Sequence, residues 1–319
     1  MMQVEAINCT SVSEFELDGF LNLGNYGILL FAIFLVTYLL ILSANALIFS
    51  LISATPRLHV PMYFFIAVLA TLEVFYTTVT MPRVLVDFLR SKKSISLSSC
   101  LLQIYFFHSL GISEACLLAV MAYDRFLAIC APLTYMTKMT PKLCVQLVLG
   151  CCVCGFVCPL PEIVLTSRLP FCGPSHIDHI FCDFPQVISL ACTDLSTSIV
   201  LDFSLHALVI LGPIFLILLS YMKILKVIVK INSSEGRQKA FSTCASHLIV
   251  VLTFFGTTGF MYMHLTWMGS GHYDKIVAVI YAFIIPLFNP IIYSLRNKEI
   301  RDVIRKIVSF PALACTSNM

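Results

Sequence analysis

The sequence predicts an all-α membrane protein: a seven-transmembrane helix bundle with a short amphipathic eighth helix. Composition is the first reason. Of 319 residues, 59% are hydrophobic and only 12% charged, about half the charge of a soluble domain. The second is the layout of the apolar residues. They fall in seven blocks, about 25–52, 58–86, 98–130, 142–165, 197–230, 238–264 and 273–294, each near the ~20 residues a helix needs to cross a bilayer. The third is the segment after the last block, "RNKEIRDVIRKIV". Ile300, Val303, Ile304, Ile307 and Val308 fall on one helical face, and Arg301, Asp302, Arg305 and Lys306 cover the other. It is too short and too charged to span, and is expected to lie on the membrane surface.

Four regions follow in chain order. Residues 1–24 are an extracellular N-terminus. They carry Glu5, Glu14, Glu16 and Asp18 but no Lys or Arg, so they lack the basic start of a signal peptide, and the first span serves as an uncleaved anchor. Residues 25–294 form the bundle, 295–308 the surface helix and 309–319 a cytoplasmic tail. Pro82, Pro159, Pro161, Pro213, Pro286 and Pro290 sit in or near spans. Proline frees a backbone carbonyl and kinks a helix, which suits a bundle with a cavity and moving parts. The one long connection, about 166–196, is rich in Pro, Cys and aromatics. It is expected to act as a lid.

Charge sets the orientation. With the N-terminus outside, 14 of the 20 basic residues lie inside, as the positive-inside rule requires. Only the "RSKK" of the first outer loop runs against the trend. The sequon at Asn8 is then lumenal and available for glycosylation, whereas Asn232 is not. The chain is expected in the plasma membrane, crossing it several times, with its C-terminus in the cytoplasm.

Most of the 14 cysteines lie in spans and read as small buried apolar residues. "CCVC" has no second ligand pair and no water access, so it is not a metal or redox motif. Cys100, Cys172, Cys182 and Cys192 fall on the oxidising side, where two bridges are expected. Spacing alone leaves three pairings open.

Charges inside the membrane are expensive and mark function. Glu73 lies in the second span and Glu114 in the third, and Arg125 follows Glu114 by roughly 16 Å of helix. Glu114 is thus near mid-membrane and Arg125 near the inner rim, beside Asp124. Glu73 and Glu114 are expected to face each other across a shared proton or cation, because two adjacent carboxylates do not both ionise cheaply.

"MAYDRFLAIC" at the inner end of the third span and "NPIIY" at 289–293 resemble the two signatures of rhodopsin-like G-protein-coupled receptors. More narrowly, "PMYFF" (61–65), "MAYDR" (121–125), "SY" (220–221), "KAFSTCASHL" (239–248) and "NPIIYSLRNKE" (289–299) resemble the olfactory receptor family, and "LPFCGPSHIDHIFCD" its tetrapod-type branch. The similarity runs from about Asn45 to Ile307. The pairing of "MAYDR" with "KAFSTCASHL" is its most specific part.

The resemblance implies an odorant receptor. A small volatile molecule would bind in the outer half of the bundle, activate a heterotrimeric G protein of the stimulatory, olfactory type and raise cyclic AMP. It implies disulfides Cys100–Cys182 and Cys172–Cys192. Arg125 would be a switch, held by Asp124 at rest and released toward Tyr221, Tyr293 and the G protein. His247 on the sixth helix and Asn289 and Tyr293 on the seventh would move with it. Family position places the ligand against Phe107, His108, Gly111 and Ile112 of the third helix, Leu205, His206 and Val209 of the fifth, Phe255, Thr258 and Tyr262 of the sixth, and Val279 of the seventh. Four residues depart from the pattern: Phe126 after Asp-Arg, Phe255 in "FFG", Cys152 in place of a tryptophan, and Glu73 in place of an aspartate.

Other classes fit less well. No nucleophile, base and oxyanion arrangement and no phosphate-cradling glycine loop appears, so neither enzyme chemistry nor a cofactor is expected. His108 and His206 alone do not complete a metal site. The basic residues read as topology, contact with membrane lipids and G-protein contact, not as a nucleic-acid surface. A rhodopsin-like receptor for a non-odorant ligand is the nearest alternative. A transporter or channel is the next, since mid-membrane acids also mark ion paths, but no inverted repeat supports it.

Overall fold

Helix formation here follows from solvent: in hydrocarbon every backbone N–H and C=O must be satisfied within the segment. A computed structural model of the chain describes residues 14–20, 26–90, 92–172, 175–268, 274–296 and 299–306. Among them seven helices are long and apolar enough to cross a membrane. They run Gly27–Ala54, Pro61–Leu89, Leu97–Cys130, Pro141–Thr166, Ser196–Ile228, Ser234–Met268 and Asp274–Arg296. Each agrees with its predicted block to within a few residues. The cysteine-rich and proline-rich sequence marks two irregularities. The fourth helix breaks between Val157 and Leu160, at Pro159 and Pro161, because neither proline donates to the preceding turn. The seventh widens into a π-helical turn at Ile280–Ile284, just before Pro286.

Burial separates the helices by role. The third is the most enclosed, with apolar and polar residues alike buried along its length. The first exposes Ile28, Leu29, Leu39 and Leu40, as a membrane-facing helix does. The main core runs through the bundle from Phe34 and Leu69 to Leu118, Phe254 and Tyr293. Gly155 lets the third and fourth helices touch. A Cβ there would overlap Ser113 Oγ and the Ser109 carbonyl.

The disulfide-bearing end departs from a purely helical picture. Glu14–Leu17 (β1) pairs antiparallel with Ser94–Ser96 (β2) and parallel with His176–Ile177 (β3), in the order β2-β1-β3. The N-terminal segment thus contributes the middle strand, whose alternating Phe15 and Leu17 are buried against Ile95, Ile104, Phe171 and Phe184. Four residues are too few for a sequence pattern to reveal. Asp18 pairs with His176 at 3.1 Å, and Lys275 bonds to Asp178 and to the Gly19 carbonyl. At the opposite end, residues 299–306 are helical. Ile300 is buried, Val303 and Ile304 pack on the core, and Tyr63 donates to Glu299 at 3.0 Å. Asn8 and residues 307–319 lie outside the described residues.

Candidate functional site

The long loop is fixed before it covers anything. Cys100 and Cys182 are bonded with Cα atoms 5.5 Å apart, and Cys172 and Cys192 with Cα atoms 5.8 Å apart. Gln103 adds a second tether, accepting from the Cys182 N–H at 2.9 Å and donating to the Val79 carbonyl. Phe181 is thereby pressed into the bundle, where it packs on Phe107 and Tyr281. Tyr76 stacks on Phe107 at 4.5 Å.

Beneath this aromatic roof lies a cavity of about 50 Å³. Eight of the eleven expected ligand residues line it: Phe107, His108, Gly111, Ile112, His206, Val209, Phe255 and Thr258. Leu205 is half-buried beside it and does not line it. Val279 does not line it either. The π-helical turn changes the register of the seventh helix, and Tyr281 takes that place. The Tyr262 side chain lies outside the described residues. Tyr76, Ala115, Ile210 and Phe254 complete the wall. The cavity has room for only a few waters, so a bulkier guest requires the wall to adjust.

A layer of acids backs the two histidines. His108 Nδ1 lies 3.2 Å from Glu162, its Nε2 3.6 Å from Asp183, and His206 Nδ1 2.9 Å from Asp202. The imidazoles meet edge to face at 5.2 Å. Each lies beside carboxylates, and among the described residues no group of three such side chains is arranged to hold a metal ion. The sequence reading did not single out Glu162, Asp183 or Asp202. The rule that picked Glu73 and Glu114 as intramembrane acids applies equally to Glu162, in the broken half of the fourth helix.

Two groups of the loop have shifted titrations. Burial alone would raise the Asp183 carboxyl. The His108 bond, the nearby His179 and the Phe184 N–H outweigh it and hold the carboxyl below its ordinary value. Burial pushes His179 down from 6.5, against the pull of Asp183, and its Nδ1 sits 2.9 Å from the Phe181 carbonyl. A histidine kept neutral by the fold binds fewer protons than it does unfolded. Its contribution is therefore full above about pH 6.5 and is lost as pH falls below that value. The hydrogen-exchange protection of residues 176–190, taken relative to the intrinsic rate at each pH, should fall between pH 7.5 and 5.5, and His179→Gln should flatten that change.

Near mid-bundle Asn289 joins the two buried glutamates. Its amide donates to Glu73 Oε1 and, at 3.5 Å, to Glu114 Oε1. Glu73 Oε2 has no hydrogen-bond partner. Asn289, one of the expected switch residues, thus bonds to the acid pair.

Toward the other end, His247 lies between Tyr221 (2.9 Å, Nδ1) and the Leu118 carbonyl (3.0 Å, Nε2). The carbonyl requires a proton on Nε2, so Nδ1 accepts from the tyrosine hydroxyl. Arg125 and Tyr293 are buried close by, and Arg125 Nη2 and Tyr293 Oη have no hydrogen-bond partner. The expected Asp124–Arg125 pair is not made. Asp124 accepts instead from the Tyr135 hydroxyl at 2.7 Å. The reason is helical geometry: residues i and i+1 point about 100° apart and do not face each other. Asp124 turns to the segment after the third helix, and Arg125 turns inward.

Seven spanning helices around a lidded cavity, with a buried polar cluster at the far end, form a seven-helix membrane receptor. Comparison with known proteins narrows the class. The olfactory receptor family profile matches residues 34–310. The chain is 50% identical over 299 residues to human olfactory receptor 6N1, covering 94% of this chain and 96% of that one. It is 48% identical over 305 residues to human olfactory receptor 6K2, covering 95% and 94%. It is 45% identical over 299 residues to rat olfactory receptor 226, covering 92% and 91%. The chain belongs to the olfactory receptor family. It is accordingly a multi-pass plasma-membrane receptor of a G-protein-coupled, non-enzymatic family, with an odorant receptor role.

Proposed function

We propose that a small volatile odorant enters the cavity beneath Phe181, and that the receptor then activates a stimulatory, olfactory-type G protein and raises cyclic AMP. The observation that carries this reading is the cavity, where eight residues expected at the ligand from sequence share one space with Tyr76 and Tyr281. The wall is mostly apolar, and His108, His206 and Thr258 supply polar contacts that fix orientation, as in small-molecule pockets generally. In this reading the disulfide-bearing end faces outside with Asn8 glycosylated, and residues 299–306 lie on the cytoplasmic surface. Arg125, Tyr221, His247 and Tyr293 rearrange to receive the G protein. Glu73, Glu114 and Asn289 hold a proton or a cation between the two regions.

The test is a diverse odorant panel scored by cyclic AMP in cells with and without the olfactory α subunit. A response that persists as ionic current without G protein would sink the reading. Gly111→Ala tests the place. A Cβ there meets Tyr76 at an ordinary 3.6 Å and intrudes on the cavity. Surface expression should hold, while the half-maximal odorant concentration should rise about tenfold, the worth of one lost or misfitted methyl-sized contact. An unchanged dose–response curve places the ligand elsewhere.

A further inference from the structure

On the membrane-facing flank, the third, fourth and fifth helices enclose a second space of about 800 Å³, separate from the odorant cavity. Most of it is apolar. Its polar groups gather toward one end, and helix geometry gives their depth. Tyr123 lies seven residues before the end of the third helix at Cys130, Gln146 five residues after the start of the fourth at Pro141, and Lys223 five residues before the end of the fifth at Ile228. At 1.5 Å per residue all three sit roughly 7–11 Å from the same end of the bundle. Each offers a hydrogen-bond donor. Among the described residues none of the three makes a side-chain hydrogen bond or ion pair. The Lys223 ammonium only rests over the Phe126 ring, 5.1 Å from its centre. No Asp or Glu lines the groove.

Three exposed donors beside hydrocarbon are costly if nothing accepts from them. An acceptor-rich anion attached to an apolar chain answers both halves of the lining. The deeper half supplies the slot for the chain. Gly150 and Gly212 line it on facing helices, and a Cβ on either would meet nothing within 4 Å. Basic sites between helices at the cytoplasmic side recognise lipid headgroups in this way.

We propose that this groove binds an anionic phospholipid, with its phosphate held by Tyr123, Gln146 and Lys223 and one acyl chain laid along Gly150 and Gly212. The lipid would sit on the back of the polar cluster, since Ser220 and Lys223 face the groove while Tyr221, between them in sequence, faces His247. Only the name of the leaflet, the cytoplasmic one, rests on the orientation proposed above.

The experiment uses the full-length receptor in phosphatidylcholine nanodiscs doped with photoactivatable phosphatidylserine, phosphatidylcholine or cholesterol, and maps the crosslinked peptides. Phosphatidylserine should label residues 116–126, 146–151 and 212–223 about fivefold more than phosphatidylcholine, the worth of one lysine at an anionic surface. Lys223→Gln should bring the two to parity, and Lys223→Arg should keep the preference. Gly150→Leu with Gly212→Leu should remove most labelling, and monodisperse elution would show that the fold is kept. Equal labelling by both phospholipids, stronger labelling by cholesterol, a receptor–receptor crosslink in the groove, or labelling indifferent to the leucines overturns the proposal. Because no odorant or G protein is present, a failed cyclic AMP assay leaves this result standing, and the reverse also holds.

Discussion

Gly155→Ala should remove most of the folded receptor from the cell surface. This is the largest packing effect expected in the molecule. The added methyl would overlap Ser113 Oγ and the Ser109 carbonyl and would lie 3.0 Å from the Ser113 N–H. A side chain can turn away, but the third helix's backbone cannot. The two helices must separate, and overpacking of this kind costs about 1–3 kcal/mol or more. That is a large fraction of a marginal stability, enough to lower abundance several-fold. Gly150→Ala, on the same helix, is the control. It points into open space and should leave surface staining unchanged. Ser113→Gly should rescue Gly155→Ala only in part, because the Ser109 carbonyl remains. Wild-type surface levels for Gly155→Ala would show that the third and fourth helices are not in contact there.

Arg125→Ala should abolish odorant-evoked cyclic AMP at normal surface density, but the more discriminating pair is Tyr135→Phe and Asp124→Ala. If Asp124 holds the segment after the third helix through Tyr135, the two changes remove one bond and should act alike. Both should lower the maximal response, by the loss of a charge-assisted hydrogen bond worth about 1.5–3 kcal/mol. The double change should be no worse than either single one. Burial and the neighbouring Asp124 push the Tyr135 hydroxyl far above its ordinary value, so it remains a donor across physiological pH. An Asp124–Arg125 latch makes a different forecast: Asp124→Ala raises basal cyclic AMP and Tyr135→Phe does nothing. Basal cyclic AMP in the two variants, normalised to surface receptor, decides between them.

The spans were legible because the property that defines them, long apolar runs, is one-dimensional. Positions along a regular helix were legible too. Phe107, His108, Gly111 and Ile112 reach the cavity because the third helix keeps its period across it. On the seventh helix Tyr281 lines the cavity and Val279 does not, beside a five-residue π-helical turn that leaves no periodic trace in the sequence. The charge partners were harder. Asp124 and Arg125 are adjacent in sequence and so drew the eye as a pair, yet adjacency on a helix separates side chains. Asn289 and Glu73 are 216 residues apart and bonded. Glu162 lies beside His108 across two helices. Such pairings depend on how helices turn against one another, which no local pattern records.

The middle strand of the small sheet has a consequence for biogenesis. β1 emerges first from the ribosome, but its partner Ser94–Ser96 follows the second span and His176–Ile177 the fourth. Glu16 must wait about 160 residues for His176, and long-range pairings of this kind form late. Four spans therefore thread the translocon before the cap can zip shut. Assembly of the disulfide-bearing end becomes a last act of maturation, and a chain stalled before the fourth span would leave Phe15 and Leu17 bare to quality control.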